Sequence, residues 1–223
     1  SSAASDVYKR QLYSSTATIS VLARKSRKAS EQEATDYVAA MLLAVSMMFL
    51  RFMILILIFS REIFLSIYPY LLTMAVVAAI VAWFIHSRQK RPEDQPAETE
   101  EDDSSNPLEF KVALIFAVLF VIFTFLTHYT LVYAGTGGLN LLSFVSGFSD
   151  ITPFILNLLQ NTGSVAALII TACSMQAIIS NIMVNMFYAL FFAGKGSKLR
   201  PWILGGFGVV ITCNLVLLLF FYI

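Results

Sequence analysis

Apolar residues run along this chain in long blocks, with neither the alternation of a half-buried strand nor the narrow stripe of a surface helix. Four blocks, Tyr37 to Phe59, Ser66 to His86, Val112 to Tyr133 and Pro201 to Ile223, each supply the about 20 mostly apolar residues that a helix needs to cross a bilayer. A fifth, Val165 to Ala193, is longer and carries Gln176, Asn181 and Asn185 in its middle, which predicts a spanning helix with a polar face. The stretch from Gly135 to Gly163 differs. Two apolar pieces, Gly138 to Ser146 and Thr152 to Gln160, flank the polar break Gly147-Phe148-Ser149-Asp150. Ten helical residues rise about 15 Å, half the hydrocarbon thickness, so residues 135–163 form either a broken spanning helix or a re-entrant pair of half-helices. The expected fold is all-α: a polytopic transmembrane helix bundle of about five spanning helices plus this broken or re-entrant element.

Composition agrees with that solvent. Of 223 residues, 58% are apolar and 13% charged, about half the charged share of a soluble domain. A net charge of +1 gives no attraction to polyanions, so no nucleic-acid partner is expected. Cys173 and Cys213 lie in apolar runs with no CxxC spacing and no neighbouring histidine. Buried free thiols explain them, and no metal or cofactor is expected. There is no GxSxG, no HExxH, no paired-Asp motif of intramembrane proteases and no nucleotide loop, so no catalytic residue is assigned and the chain is not expected to be an enzyme.

Two segments stand apart from the membrane pattern. Ser1 to Gln11 is polar and small, and Asp6-Val7-Tyr8-Lys9-Arg10-Gln11 reads as the in-frame translation of a sequencing-library adapter. The native sequence is then expected from Leu12, with residues 12–36 holding the end of a truncated helix and a basic cytoplasmic loop. Residues 87–107 begin with Arg88, Lys90 and Arg91, and continue with seven acids between Glu93 and Asp103, interrupted by Pro96. With nothing apolar to bury, this predicts a disordered, solvated loop.

Lys and Arg bias sets the orientation. If the broken segment spans, one side collects eight, Arg24, Lys25, Arg27, Lys28, Arg88, Lys90, Arg91 and Lys111, and the other collects Arg61, Lys195, Lys198 and Arg200. If it re-enters, the last three change sides and the count becomes eleven against one. The bias favours re-entry, with the basic side cytoplasmic. Sliding the chain by 134 residues also aligns Ser15-Thr16-Ala17-Thr18 with Ser149-Asp150-Ile151-Thr152, Ser46 with Ser180, Arg51 with Asn185, and Arg61 with Lys195. This pattern is what an internal duplication would leave, inverted if both breaks re-enter and parallel if both span.

Charge inside lipid is costly and marks function by default. Asp150, in the break, and Arg51, near the middle of the first span, are the two charged residues at that depth. An Arg51–Asp150 pair is therefore expected. Thr152 is expected to cap a half-helix starting at Pro153, so that Asp150 either lines an ion or solute site or serves as a cap and counter-charge. Gln176, Ser180, Asn181 and Asn185 share one face at helical spacing, suited to interhelical hydrogen bonds or to lining a substrate path. Gly205, Gly206 and Gly208 predict a close helix crossing, and His128 either packs or relays protons.

Several short motifs, in order, carry a resemblance. Ser14-Ser15-Thr16-Ala17-Thr18 is followed by Leu22-Ala23-Arg24-Lys25-Ser26, then by Met48-Phe49-Leu50-Arg51, Asn106-Pro107-Leu108-Glu109, Ser146-Gly147-Phe148-Ser149-Asp150 and Asn181. Together they resemble the C-terminal membrane domain of unknown function in bacterial MgtC/SapB family proteins. The resemblance implies a multi-pass protein of the bacterial inner (plasma) membrane, lacking its N-terminal MgtC-like helices, with a part in magnesium homeostasis. In that pattern a basic residue is usual where this chain has Asn185, and a second acid where it has Thr152. The expected polar centre is Asp150, Arg51, Asn181, Asn185, Ser149 and Thr152, in a transporter or channel-like component. The alternative is a regulatory subunit that binds another membrane complex and moves nothing. The implied partners are the lipid bilayer and other membrane proteins or a second copy of the chain.

Overall fold

A computed structural model describes residues 15–26, 31–87, 107–161, 165–194 and 199–222. Among them are seven helices and no strand: α1 Ser15–Ser26, α2 Glu31–Phe59, α3 Arg61–Ser87, α4 Pro107–Ser146, α5 Ile151–Gln160, α6 Ala167–Ala193 and α7 Arg200–Tyr222. Five contain stretches long and apolar enough to cross a membrane, at residues 35–59, 61–87, 117–146, 167–193 and 200–220. The chain is a multi-pass helical membrane protein. The expected adapter-like segment and most of the acidic loop lie outside the described residues.

Burial divides the bundle into centre and rim. The membrane window of α6 is 72% buried by its neighbours, whereas that of the long helix α4 is 11% buried. α6 therefore forms the axis, and α4 presents most of its apolar surface to lipid. Outward-facing Leu, Ile and Phe along α3, α4 and α7 are what a bilayer requires.

α4 holds the first departure from expectation. The third span and the first piece of the broken segment form one 40-residue element, interrupted at Gly135 (φ 58°, ψ −148°), a conformation that favours glycine. A straight helix would carry Ser146 about 34 Å from Phe123. Yet Phe154, only a few residues past the break, packs on Phe123 with ring centroids 5.6 Å apart, and Asn157 Nδ2 donates to Thr124 Oγ1 at 2.8 Å. The two arms of α4 therefore fold back on each other at Gly135.

Three contacts fix the rest of the path. Cys173 Sγ donates to Asn140 Oδ1 (3.4 Å), Ser180 Oγ donates to Phe144 O (2.6 Å), and Asn181 Nδ2 donates to Gly147 O (3.1 Å). Positions rise together on both elements, so α6 runs parallel to the second arm of α4 and starts level with Gly135. α5 must return from the break to that level to reach α6. Residues 136–160 thus enter and leave by one face, a re-entrant pair whose break lies near the midpoint of α6. This topology puts on the opposite face the helix ends whose flanking sequences carry eleven Lys and Arg against one, the face that the charge bias predicts to be cytoplasmic.

The 134-residue offset also matches the order of the helices. It carries α1 onto 149–160, α2 onto 165–193 and α3 onto 195–221, the places of α5, α6 and α7. α1 runs from the break towards the cytoplasmic end of α6, where Arg24 lies over the Phe192 ring at 4.4 Å. α5 runs the other way. The helices that the offset pairs run in opposite directions, with the first arm of α4 as the extra crossing between them.

Candidate functional site

The break is built by a cap. Asp150 (φ −74°, ψ 115°) is the N-cap of α5, accepting from Thr152 N at 2.9 Å. This corrects the expectation that Thr152 caps a helix starting at Pro153. The carboxylate, two residues ahead, outcompetes a hydroxyl for the orphan N–H groups. Pro153 then sits in the first turn, where its missing N–H still costs nothing.

The same carboxylate oxygen accepts from Thr152 Oγ1 at 2.7 Å, and that hydroxyl accepts from Arg51 Nη2 at 2.8 Å. Arg51 and Asp150 are thus linked through Thr152, a longer connection than the pair expected. The hydroxyl does what a second acid would do for Arg51 while adding no charge. Arg51 also lies 5.2 Å from the centre of the Phe52 ring, a cation–π contact that helps hold a guanidinium in an apolar bundle.

α6 closes the other side of the break. Asn181, buried, donates to Gly147 O at 3.1 Å and to Ser149 O at 3.4 Å, satisfying carbonyls at the end of the preceding half-helix. Asn185 donates to Asn181 Oδ1 at 3.1 Å and orients that amide. Close approach requires Gly147: a Cβ there would stand 2.7 Å from Asn181 N. Ser149 Oγ turns back to Ser146 O at 3.1 Å.

A cavity of about 450 Å³ opens beside the break. α1 contributes Thr16, Ser20 and Arg24, α2 contributes Met48, Arg51 and Phe52, and α6 contributes Asn181, Val184, Tyr188 and Phe192, against Gly147 to Ile151. Of the six expected centre residues, Asp150, Arg51, Asn181 and Ser149 line it. Thr152 and Asn185 stand behind them as supports. What sequence reasoning missed is that α1 lines the site, because Arg24 read as a loop residue. The repeat was the available signal, since it places Thr16 opposite Asp150.

Other expectations fared unevenly. Gly206 makes a close crossing, its position facing Leu42 and Ile85, but Gly205 and Gly208 face open space. His128 is exposed on α4 with its ring against Tyr129 (5.9 Å), in the packed core of neither copy. Among the described residues, no group of three His, Cys, Asp or Glu gathers to hold a metal.

Fold and site together define an integral helical membrane protein with a polar centre where half-length helices meet. The chain belongs to the family described as "Domain of unknown function (DUF4010)", whose model matches residues 11–193. It is similar to an uncharacterized protein of Aquifex aeolicus (strain VF5), 27% identical over 115 residues, which cover 51% of this chain and 50% of that protein. The chain thus spans about half the length of the curated relative it matches. No solved structure matches it.

Proposed function

We propose that the protein is a transporter that exposes the Asp150–Arg51–Asn181 centre to one face of the membrane at a time. One observation carries the reading. The cavity reaches the centre between α1 and α6 on the basic face, whereas the equivalent surface of α5 is closed: Phe154, Ile155 and Leu158 are fully buried. Under the repeat, Ser20 corresponds to Phe154 and Arg24 to Leu158. Positions paired by the offset are thus open on the first copy and packed on the second, the asymmetry that alternating access in an inverted repeat needs.

The resemblance to MgtC/SapB proteins adds magnesium homeostasis in the bacterial inner membrane as the setting. That part of the proposal rests on the resemblance, since Asp150 is the one carboxylate among the described residues lining the cavity. The test is flux of a solute panel, Mg²⁺ included, into proteoliposomes containing the full chain. A solute should move, and Asp150→Asn should slow it at least tenfold while Phe187→Ala, on the exposed surface, leaves it unchanged. Flux indifferent to Asp150→Asn removes the site assignment. No flux for any solute favours the regulatory subunit.

A further inference from the structure

We infer that the cavity takes a small solute bearing an oxyanion group, a carboxylate or a phosphate, held between Arg51 and Arg24. This deepens the transport reading and rests on it for the solute's passage. Charge comes first. The described residues lining the cavity carry two guanidinium groups, Arg24 and Arg51, and one carboxylate, Asp150. An excess positive charge within low-dielectric walls attracts anions.

The carboxylate is also already engaged. Asp150 Oδ1 accepts both the backbone N–H and the hydroxyl of Thr152. The carbonyls a cation would seek at the break, Gly147 O and Ser149 O, accept from Asn181. One oxygen of the carboxylate and both carbonyls are therefore already met by the protein's own donors.

The inverted repeat then places the anion. Asp150 caps α5 from just ahead of it, and the residue that the 134-residue offset pairs with it, Thr16, lies inside α1 and brings no acid to that copy. Thr16 lines the same cavity as Arg51. A solute oxyanion beside Thr16 and Arg51 supplies to the first copy the negative charge that Asp150 supplies to the second. A guanidinium presents a planar fork of N–H donors that matches such a group. Ser20, Tyr188 and Asn181 offer neutral polar groups for the remainder of the solute. Arg24, held over Phe192 two turns along α1, stands at the mouth.

Calorimetric titration of the purified full chain, at constant ionic strength, with acetate, succinate, inorganic phosphate and MgCl₂ tests this. At least one oxyanion should bind. Arg24→Gln, at an exposed position that carries little folding risk, should weaken binding at least tenfold, and Arg51→Lys should weaken it by losing the fork. Asp150→Asn should bind the oxyanion at least as tightly as the native chain. Binding of Mg²⁺ alone, lost in Asp150→Asn, overturns the inference, as does absence of any oxyanion binding. Flux of the same probes separates the two readings. Oxyanion binding without flux keeps the site and removes transport, whereas cation flux without oxyanion binding keeps transport and removes the site.

Discussion

Arg51 Nη2 donates to Thr152 Oγ1 at 2.8 Å across 101 positions of sequence, joining the middle of α2 to the first turn of α5. The hydroxyl in turn donates a hydrogen bond to Asp150 Oδ1, so one small side chain connects the two charged residues of the centre. Thr152→Val keeps the shape and removes both bonds. Losing hydrogen bonds to charged groups in a buried setting costs about 1–3 kcal/mol. Thermal unfolding in detergent should show that loss for Thr152→Val and near-native stability for Thr152→Ser. Equal stability of Val and native chains would mean that the relay contributes nothing.

Gly147 and Gly208 look alike in sequence and differ in surroundings. A Cβ on Gly147 meets the backbone N of Asn181 at 2.7 Å, and backbone cannot move aside as a flexible side-chain tip can. Gly208 has nothing within 4 Å. Gly147→Ala should therefore lower stability by about 1–3 kcal/mol through overpacking, and Gly208→Ala should leave it unchanged or raise it slightly through helix propensity. The same unfolding measurement compares them, and a harmless Gly147→Ala would contradict the close approach of the break to α6.

Re-entry has a topological signature. In a chain with Cys173 and Cys213 replaced, single cysteines at Arg61, Gly137 and Gln160 should react with a membrane-impermeant maleimide from one side. Cysteines at Ser87 and Pro201 should react from the other. All five positions are exposed. A spanning segment would instead put Gly137 and Gln160 on opposite sides.

Much of this was legible in the sequence, for physical reasons that also mark its limit. Long apolar blocks are dictated by lipid and give the spans, and the break at Gly147 to Asp150 stands out because polar residues are costly there. The Lys and Arg bias favours re-entry of the broken segment, and the Cys173–Asn140 and Asn181–Gly147 contacts set α6 parallel to the second arm of α4, as re-entry requires. What escaped was contact between distant elements. Nothing local in Thr152 says that it stands between Arg51 and Asp150, because that position is set by packing of α5 on α2. Nor does Gly135 announce a reversal, since Gly137 and Gly138 beside it have the same freedom and only one of the three takes positive φ.

The two copies also differ in how open they are. Ser20 lines the cavity on α1, and its counterpart under the repeat, Phe154, is fully buried on α5 against Phe123. In the thiol-free background, Ser20→Cys should be labelled by an impermeant maleimide from the cytoplasmic face, at a rate within about tenfold of an exposed loop cysteine. Phe154→Cys should resist labelling from either face. An oxyanion that binds at the start of α1 should slow the Ser20→Cys reaction, because the label must pass the same mouth beside Arg24. Labelling of Ser20→Cys from the opposite face, or equal reactivity of the two cysteines, would show that the cavity does not open on one side alone.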